Sequence, residues 1–493
     1  MAQYIIGVDI GTTSTKTILF DIAGTAHAKS NQGYPLIQDA VGMAEQAPAQ
    51  ILQAVYSGIR AVTAAIAPIS IVGIAFSAAM HSLILLDDQQ QPLTRSITWA
   101  DNRATAAAAK LKAMQGATTR ELRTGVPTHP MTPLSKLVWL RETRPELMQQ
   151  AKYIVGIKEY VLLQLTGQLV TDYSLAGATG MFNLSTCDWD DATLHLAGIT
   201  RMQLPQLVPT TKHLAGLTVA ASKETGLPQN TPVIVGASDG CLSNLGLGAI
   251  NPGDVALTIG TSGAVRTACK QPVPTAGTFT YYLAPNLWIQ GGPTNNGGNV
   301  LQWLDRSLFP DFGHDYPRLL ETVGSVPAGS HHLLCLPFFS GERAPIWDWN
   351  ARASFIGLTA THTRADMARA ALEGVAFNLR AILLRTSRQP KRILATGGFA
   401  QSKQWAQLLA DSLGQPIQIP DNYDSSALGA AILGLNSLGL LSGLKLPQTT
   451  TAPTTIIKPN PVTHTFYAAW FALWQEAVAQ TATINHAIAR LRN

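Results

Sequence analysis

Apolar positions along this chain follow two spacings in turn. Runs of strand length, including Tyr4–Ile10, Ile71–Phe76, Ser82–Leu86, Val255–Ile259 and Ile393–Thr396, are separated by stretches with an apolar residue every three or four positions, such as Pro48–Ala65 and Thr363–Ser387. Strands alternating with helices in this way predict α/β layers. The stretch from Thr363 reads as the longest helix: Thr363 and Asp366 hold capping positions, Met367, Ala370, Ala371, Val375, Leu379 and Ile382 form one apolar stripe, and the pattern stops before Pro390. Its Glu373, Gly374 and Asn378 read as an exposed face. In the tail, Thr463–Asn493, the spacing of Phe466, Trp470, Leu473 and Ala477 predicts a helix that docks on the C-terminal half.

Three of the strand-like runs end in glycine-and-hydroxyl turns. The first continues as Gly11-Thr12-Thr13-Ser14-Thr15-Lys16 and returns in a second strand, Thr17–Phe20, so it joins a hairpin and is not the Gly-x-x-x-x-Gly-Lys-Ser/Thr loop that opens a helix. Glycine lets amides approach a phosphate, the threonine hydroxyls add donors, Lys16 adds charge, and Asp9 at the strand end can hold a cation; a plain tight turn explains the same residues. The second turn repeats the design as Gly260-Thr261-Ser262-Gly263. The third, Gly397-Gly398-Phe399-Ala400-Gln401-Ser402, leads into a helical pattern through Trp405 to Gly414, the layout of an anion or nucleotide seat. Because the hairpin recurs, the chain reads as a distant internal repeat of two α/β domains meeting near residue 247.

Between the first two turns, Val233–Ser238 forms a buried-looking strand that delivers one carboxylate, Asp239, to its C-terminal end, where an open α/β sheet places its chemistry. Taken alone, Asp239 reads as a cap of the following helix, Cys241–Leu247, whereas the turns on either side favour the chemical role.

The composition narrows the class. With 493 residues, 46% apolar and 13% charged, the chain has material for two or more well-buried domains. A net charge of +5 with its densest run at Arg380, Arg385, Arg388, Lys391 and Arg392, at a helix end and the linker after it, argues against nucleic acid as a partner. Four dispersed cysteines, no basic leader, and an apolar run, Ile71–Leu86, interrupted by Ser77, His81 and Ser82 lead to the expectation of a cytoplasmic protein with no membrane span.

In order, the first turn from Asp9 to Lys16, Met80-His81, Trp99-Ala100-Asp101-Asn102-Arg103, Met131-Thr132-Pro133-Leu134-Ser135-Lys136, Gly236-Ala237-Ser238-Asp239-Gly240, Ile259-Gly260-Thr261-Ser262-Gly263, Ser340-Gly341-Glu342-Arg343-Ala344-Pro345 and Thr396-Gly397-Gly398-Phe399-Ala400 resemble the FGGY carbohydrate kinases of the actin-like ATPase superfamily, over nearly the whole chain. Within that family, Phe76–Ser82, Ile97–Arg103, Thr128-His129-Pro130-Met131 and Gly292–Gly298 are worded most like the gluconokinases. The resemblance implies two actin-like (ribonuclease H-like) domains with a nucleotide cleft between them, residues 1–247 binding the sugar and 248–493 the nucleotide. It implies Asp239 as general base, ATP as phosphoryl donor and Mg2+ near Asp9, with Gly11, Thr12, Thr13, Lys16, Gly260 and Thr261 on the phosphates and Gly298, Gln302, Gly397, Gly398 and Ser402 in the nucleotide seat.

The acceptor side would comprise Met80, His81, Trp99, Asp101, Arg103 and His129, with Trp99 as an apolar wall and Asp101, His81 and Arg103 meeting hydroxyls; singly, each also reads as core or as a surface ion pair. Gluconate carries a carboxylate that demands a cation or several donors, and Arg103 is nominated for it, with His129 and Lys136 behind, so that Arg103→Ala should raise the gluconate KM. Cleft closure on the sugar would complete the site. The expected partners are a sugar acid and ATP, with a homodimer as the assembly considered. Rival readings are a kinase for xylulose or a polyol, and a non-enzymatic nucleotide switch.

Overall fold

The structure, a computed structural model, describes residues 2–64, 67, 70–387, 389–420, 424–445 and 454–491. The chain forms two compact units that interleave in sequence: Met1–Ile250, Cys269–Ile289 and Asp424–Thr451 make the first, Asn251–Ala268, Gln290–Tyr423 and Ala452–Asn493 the second. The repeat led instead to a single cut between residues 247 and 248. That cut misses the segments 269–289 and 424–451, whose partners lie in the first unit.

In the first unit, β1 (Tyr4–Ile10), β2 (Ser14–Asp21), β3 (Ala26–Gly33), β4 (Ile71–Ala78), β5 (His213–Leu214) and β6 (Val233–Ser238) form one sheet in the order β5-β6-β4-β1-β2-β3. The hairpin β1–β2 is antiparallel, whereas β4 runs parallel to both β1 and β6. Ile5, Ile6, Val8 and Ile10 are all fully buried, as a central strand covered on both faces requires. Helix Pro48–Thr63 covers β2 and β3, and helix Ser425–Ser437 lies on β1 and β4. Ala65, which the spacing assigned to the first of these helices, lies outside the described residues.

The second unit repeats the plan. Its strands β7 (Asp254–Ile259), β8 (Gly263–Cys269), β9 (Leu287–Thr294), β10 (Arg392–Thr396), β11 (Ile417–Pro420) and β12 (Thr454–Ile457) run in the order β9-β8-β7-β10-β11-β12. Again the hairpin β7–β8 is antiparallel and β10 is parallel to β7 and β11. A hairpin followed by parallel strands in both sheets is the repeat expected from the paired Gly-Thr turns.

Helix Arg364–Thr386 carries the predicted capping box, with Thr363 and Asp366 bonded reciprocally. Its supposed exposed face does not exist. Glu373 and Asn378 are each 1% exposed. Glu373 accepts from Gly329 N at 3.0 Å, Arg369 Nε at 2.9 Å and Tyr467 Oη at 2.7 Å, while Asn378 Nδ2 donates to Glu342 Oε2 at 3.1 Å. Polar residues read as exposed when no partner is visible, and here the partners come from distant segments. The longest helix is the tail, Pro461–Arg490, rather than the one from Thr363. It buries Tyr467, Phe471 and Trp474, one position along from the predicted stripe, and leaves Phe466 and Leu473 36% and 49% exposed. Burying a side chain of Phe size contributes about 1.5–3 kcal/mol, so this offset face anchors the helix to its unit. The basic run is also dispersed: Arg380 lies over the Phe471 ring, Arg392 pairs with Asp254 at 2.8 Å, and Arg388 is outside the described residues.

Candidate active site

Strands β1, β4 and β6 are parallel, and all three end at one edge of the first unit's sheet. Each hands the chain to a segment with chemistry: β1 to Gly11–Lys16, β4 to Met80 and His81, and β6 to Asp239. In register, Asp9 lies opposite Ser77, and Ser77 opposite Ala237. The carboxyl edge of an open α/β sheet is where ligands bind, because strand-end loops and helix N-termini converge there. The end of β6 is re-aimed by a register shift between Ile234 and Ala237 that centres on Gly236. Gly236 has φ 74° and a Cβ there would fall 1.7 Å from Phe76 O, so only glycine fits.

Asp239 is half-buried and opens helix Asp239–Gly246 as its first residue; the N-cap is Ser238. Its Oδ1 accepts from Gly240 N at 2.6 Å, and Ser426 Oγ donates to its carbonyl at 3.3 Å. Asp9 accepts from Ser77 Oγ at 2.7 Å. Burial raises its pKa above the usual carboxylate range, against the pull of Ser77 and Lys16 and with a further push from Asp424. Lys16 pairs loosely with Asp424 at 3.8 Å, and Lys29 reaches the same carboxylate at 2.5 Å.

The two hairpin turns spend their glycine amides internally. Gly11 N donates to Ser14 O at 3.0 Å, and Gly260 N to Ser262 O at 2.8 Å. In this arrangement both amides are engaged within their own turns, a contact that the roles expected of Gly11 and Gly260 did not include. The amides and hydroxyls of Thr12, Thr13 and Thr261 remain for a phosphate. Thr12 is also tied to the acceptor residues, since Trp99 Nε1 donates to its Oγ1 at 2.8 Å and Gln46 Nε2 to its carbonyl. A hydroxyl that accepts can still donate its own proton. Trp99 therefore ties its segment to the Gly11–Lys16 turn, a polar role its reading as an apolar wall omitted.

Asp101 is fully buried, so it cannot meet hydroxyls directly as expected. Its carboxylate takes Ala44 N at 2.9 Å, Arg103 N at 3.0 Å and Arg103 Nη2 at 2.7 Å. Arg103 Nη2 also reaches Glu45 Oε1 at 2.5 Å, and its guanidinium lies 4.7 Å from the Trp139 ring centre. One cation between two carboxylates is no surplus charge for a third, so the nomination of Arg103 for the gluconate carboxylate is corrected. Arg103→Ala is instead expected to lower stability, towards the lower end of the about 3–5 kcal/mol typical of a broken buried pair because the guanidinium is part-exposed. A drop in the denaturation midpoint would show it, and an unchanged midpoint would refute it.

Lys136 is likewise spoken for. Its ammonium is fully buried and donates to His81 O at 2.6 Å, Thr98 O at 2.7 Å and Ile97 O at 3.1 Å, which uses all three of its protons. Burial pushes its pKa down to about 7, against the opposing pull of Asp101. Lys136 thus braces the segments that carry His81 and Trp99 rather than reading a substrate. His81 itself is 9% exposed with φ 68°, and Met80 is half-buried against the core. His129, 6% exposed, accepts from Met131 N at 3.2 Å and shapes the turn into helix Pro133–Thr143. Lys136→Met should raise the acceptor KM about tenfold or more by leaving three carbonyls unpaired, with the ATP KM unchanged in steady-state assays.

In the second unit, a cavity of about 470 Å³ is lined by Gly260, Thr261, Gly298, Gln302, Gly398 and Ser402, six of the residues expected to hold the nucleotide. Its apolar walls are Ile259, Leu301, Tyr316, Leu320, Phe399 and Trp405, a mixture that suits a planar base with a few polar anchors. Tyr316 and Leu320 come from helix Tyr316–Ser325, which no motif had marked. Gly397 backs the cavity rather than lining it: with φ 113° and Ile259 O 2.0 Å from an added Cβ, it permits the sharp exit from β10. Ser402 caps helix Lys403–Leu413 by accepting from Trp405 N at 3.2 Å. Gly298 N donates to Gly260 O at 2.7 Å, so the second turn caps helix Gly298–Leu308.

Behind that helix start lies a carboxylate the motif reading had not interpreted. Glu342 is fully buried and accepts from Thr294 Oγ1 at 2.7 Å, Asn295 N at 2.8 Å, Asn296 Nδ2 at 3.0 Å, Arg343 N at 2.7 Å and Asn378 Nδ2 at 3.1 Å. It knots the segments Gly292–Gly298 and Ser340–Pro345 together. Among the described residues, no group of three or more His, Cys, Asp or Glu side chains is placed to hold a metal ion, and no helix is long and apolar enough to cross a membrane.

Residues 4–246 match the N-terminal domain, and residues 255–438 the C-terminal domain, of the FGGY family of carbohydrate kinases. A gluconokinase of Bacillus subtilis (strain 168) is 44% identical over 454 residues, 89% of this chain and 88% of the relative. The crystal structure of a gluconate kinase from Lactobacillus acidophilus superposes with a TM-score of 0.93 at 41% identity, over 98% of this chain and 99% of that one. That of a ligand-bound xylulose kinase from Lactobacillus acidophilus does so with a TM-score of 0.92 at 41% identity, over 97% and 98%. With both domains matched and the strand-end motifs in place, the chain belongs to the FGGY family of carbohydrate kinases and is an ATP-dependent sugar kinase.

Proposed function

We propose that this kinase transfers the γ-phosphoryl group of ATP to the terminal hydroxyl of D-gluconate, giving 6-phosphogluconate and ADP. The observation that carries the chemistry is the position of Asp239 at the strand edge shared with Thr12 and His81. There its carboxylate accepts the proton of the hydroxyl as that oxygen attacks phosphorus. Phosphoryl transfer asks chiefly for alignment and charge neutralisation, and Thr12, Thr13 and Lys16 suit that task. The choice of gluconate is supported by the gluconokinase relatives.

Mg2+ fits at Asp9, a half-buried carboxylate at the end of β1 beside the Gly11–Lys16 turn, because kinase magnesium sites combine one or two carboxylates with phosphate oxygens. When bound it would neutralise phosphate charge. The first unit would hold the sugar acid and the second the adenine nucleotide, in the cytoplasm.

Xylulose is the second reading, favoured by the similarity to a xylulose kinase. A panel of D-gluconate, D-xylulose and polyols assayed with ATP separates the two: the highest kcat/KM is expected for gluconate, and a preference for xylulose would overturn the assignment. ATP hydrolysis without acceptor should be weak and rise when the sugar acid is added, as induced fit demands. Vigorous acceptor-independent ADP release would count against it.

A further inference from the structure

Ser238 occupies the N-cap of helix Asp239–Gly246, a position where a serine hydroxyl ordinarily accepts from an amide of the first turn. Here it makes no such cap. Its hydroxyl instead meets Ser174 Oγ at 2.9 Å, and its backbone N–H donates to the same Ser174 Oγ at 3.2 Å. Ser174 is itself held: Asp172 Oδ1 accepts from Ser174 N at 2.8 Å and from Leu175 N at 3.1 Å, and Asp172 Oδ2 receives Lys158 Nζ at 2.5 Å. Lys158, Asp172, Ser174 and Ser238 are all fully buried.

This chain of contacts ends one residue before Asp239. The helix forgoes its natural cap so that the last residue of β6 is pinned sideways, just past the bulge at Gly236 where the ladder to β4 is irregular. A buried, hydrogen-bonded polar network favours one arrangement, because any shift strands a charged or polar group away from water. What it fixes is the point from which the Asp239 side chain departs.

We propose that Ser174 is a positioning residue for Asp239, acting through Ser238 and anchored by Asp172 and Lys158. The proposal rests on the reading of Asp239 as the base. Misplacement of a reacting group by about 1 Å costs on the order of 100-fold in rate. Ser174→Ala removes the partner of both Ser238 groups, whereas Ser238→Ala removes only the hydroxyl contact and keeps the amide bond.

The test measures kcat and both KM values for the two variants with ATP and D-gluconate, or D-xylulose if the panel selects it, together with thermal midpoints. Ser174→Ala is expected to lower kcat about 10- to 100-fold with both KM values within about twofold. Ser238→Ala should lose less, and Ser174→Thr, which keeps the hydroxyl, should recover most of the rate. A folded Ser174→Ala enzyme with unchanged kcat, or losses that track the thermal midpoint alone, would overturn the proposal. Should Ser174→Ala not fold, an unchanged kcat in Ser238→Ala would overturn it equally. Asp239→Asn, run alongside, separates the two ideas: transfer retained there sinks the base, whereas an inactive Asp239→Asn beside a fully active Ser174→Ala sinks only the positioning role.

Discussion

Asp239→Asn is expected to lower kcat by about 10²–10⁴-fold, the range of general base catalysis, while ATP binds as before. The amide keeps the shape of the carboxylate but cannot accept the proton. The fold should tolerate it, because Asp239 is half-buried and the bond its Oδ1 accepts from Gly240 N needs only an acceptor oxygen. The cavity proposed for the nucleotide is lined wholly by residues of the second unit, and Asp239 is not among the groups proposed for the phosphates, so affinity for ATP has no reason to fall. Calorimetric titration of ATP beside a transfer assay checks both halves. Retained transfer would mean another base, and lost ATP binding would mean that the variant had misfolded.

Glu342→Ala is expected to destabilise the protein by several kcal/mol and to raise the KM for ATP. Removing this carboxylate leaves buried donors on Thr294, Asn295, Asn296, Arg343 and Asn378 without their acceptor. Each buried group left unpaired costs about 1–3 kcal/mol, and relaxation makes the sum less than additive. Burial pushes the Glu342 pKa up while these hydrogen bonds pull the other way, so the carboxylate and its donors hold each other in place. The knot lies directly before Gly298, at the cavity wall, and loosening it should disturb the nucleotide seat. A denaturation midpoint within error of the parent, or an unchanged ATP KM in the folded fraction, would refute the role.

Much of the fold was legible in the chain because its signals are local. The runs Tyr4–Ile10 and Val255–Ile259, each followed by a Gly-Thr turn, are strands followed by hairpins in the structure. Gly397 and Gly398 led into a helix ending at Gly414, and Thr363 with Asp366 formed the capping box. Periodicity was less reliable where apolar residues crowd together: in the tail helix, Phe466, Trp470 and Leu473 keep the same spacing as Tyr467, Phe471 and Trp474, and only the neighbouring surface selects the second set.

The sequence by itself determined the strand-end placement of Asp9 and Asp239, the repeated turns and the kinase family, since each depends on residues a few positions apart. Only the tertiary structure decided which donors and acceptors are already committed. It showed the amides of Gly11 and Gly260 closing their own turns, Arg103 shared by Asp101 and Glu45, Lys136 held by three carbonyls, and Ser238 drawn to Ser174 across 64 residues. The physical reason is competition. A polar group bonds to whichever buried partner folding brings within reach, and residue type and spacing do not reveal that partner.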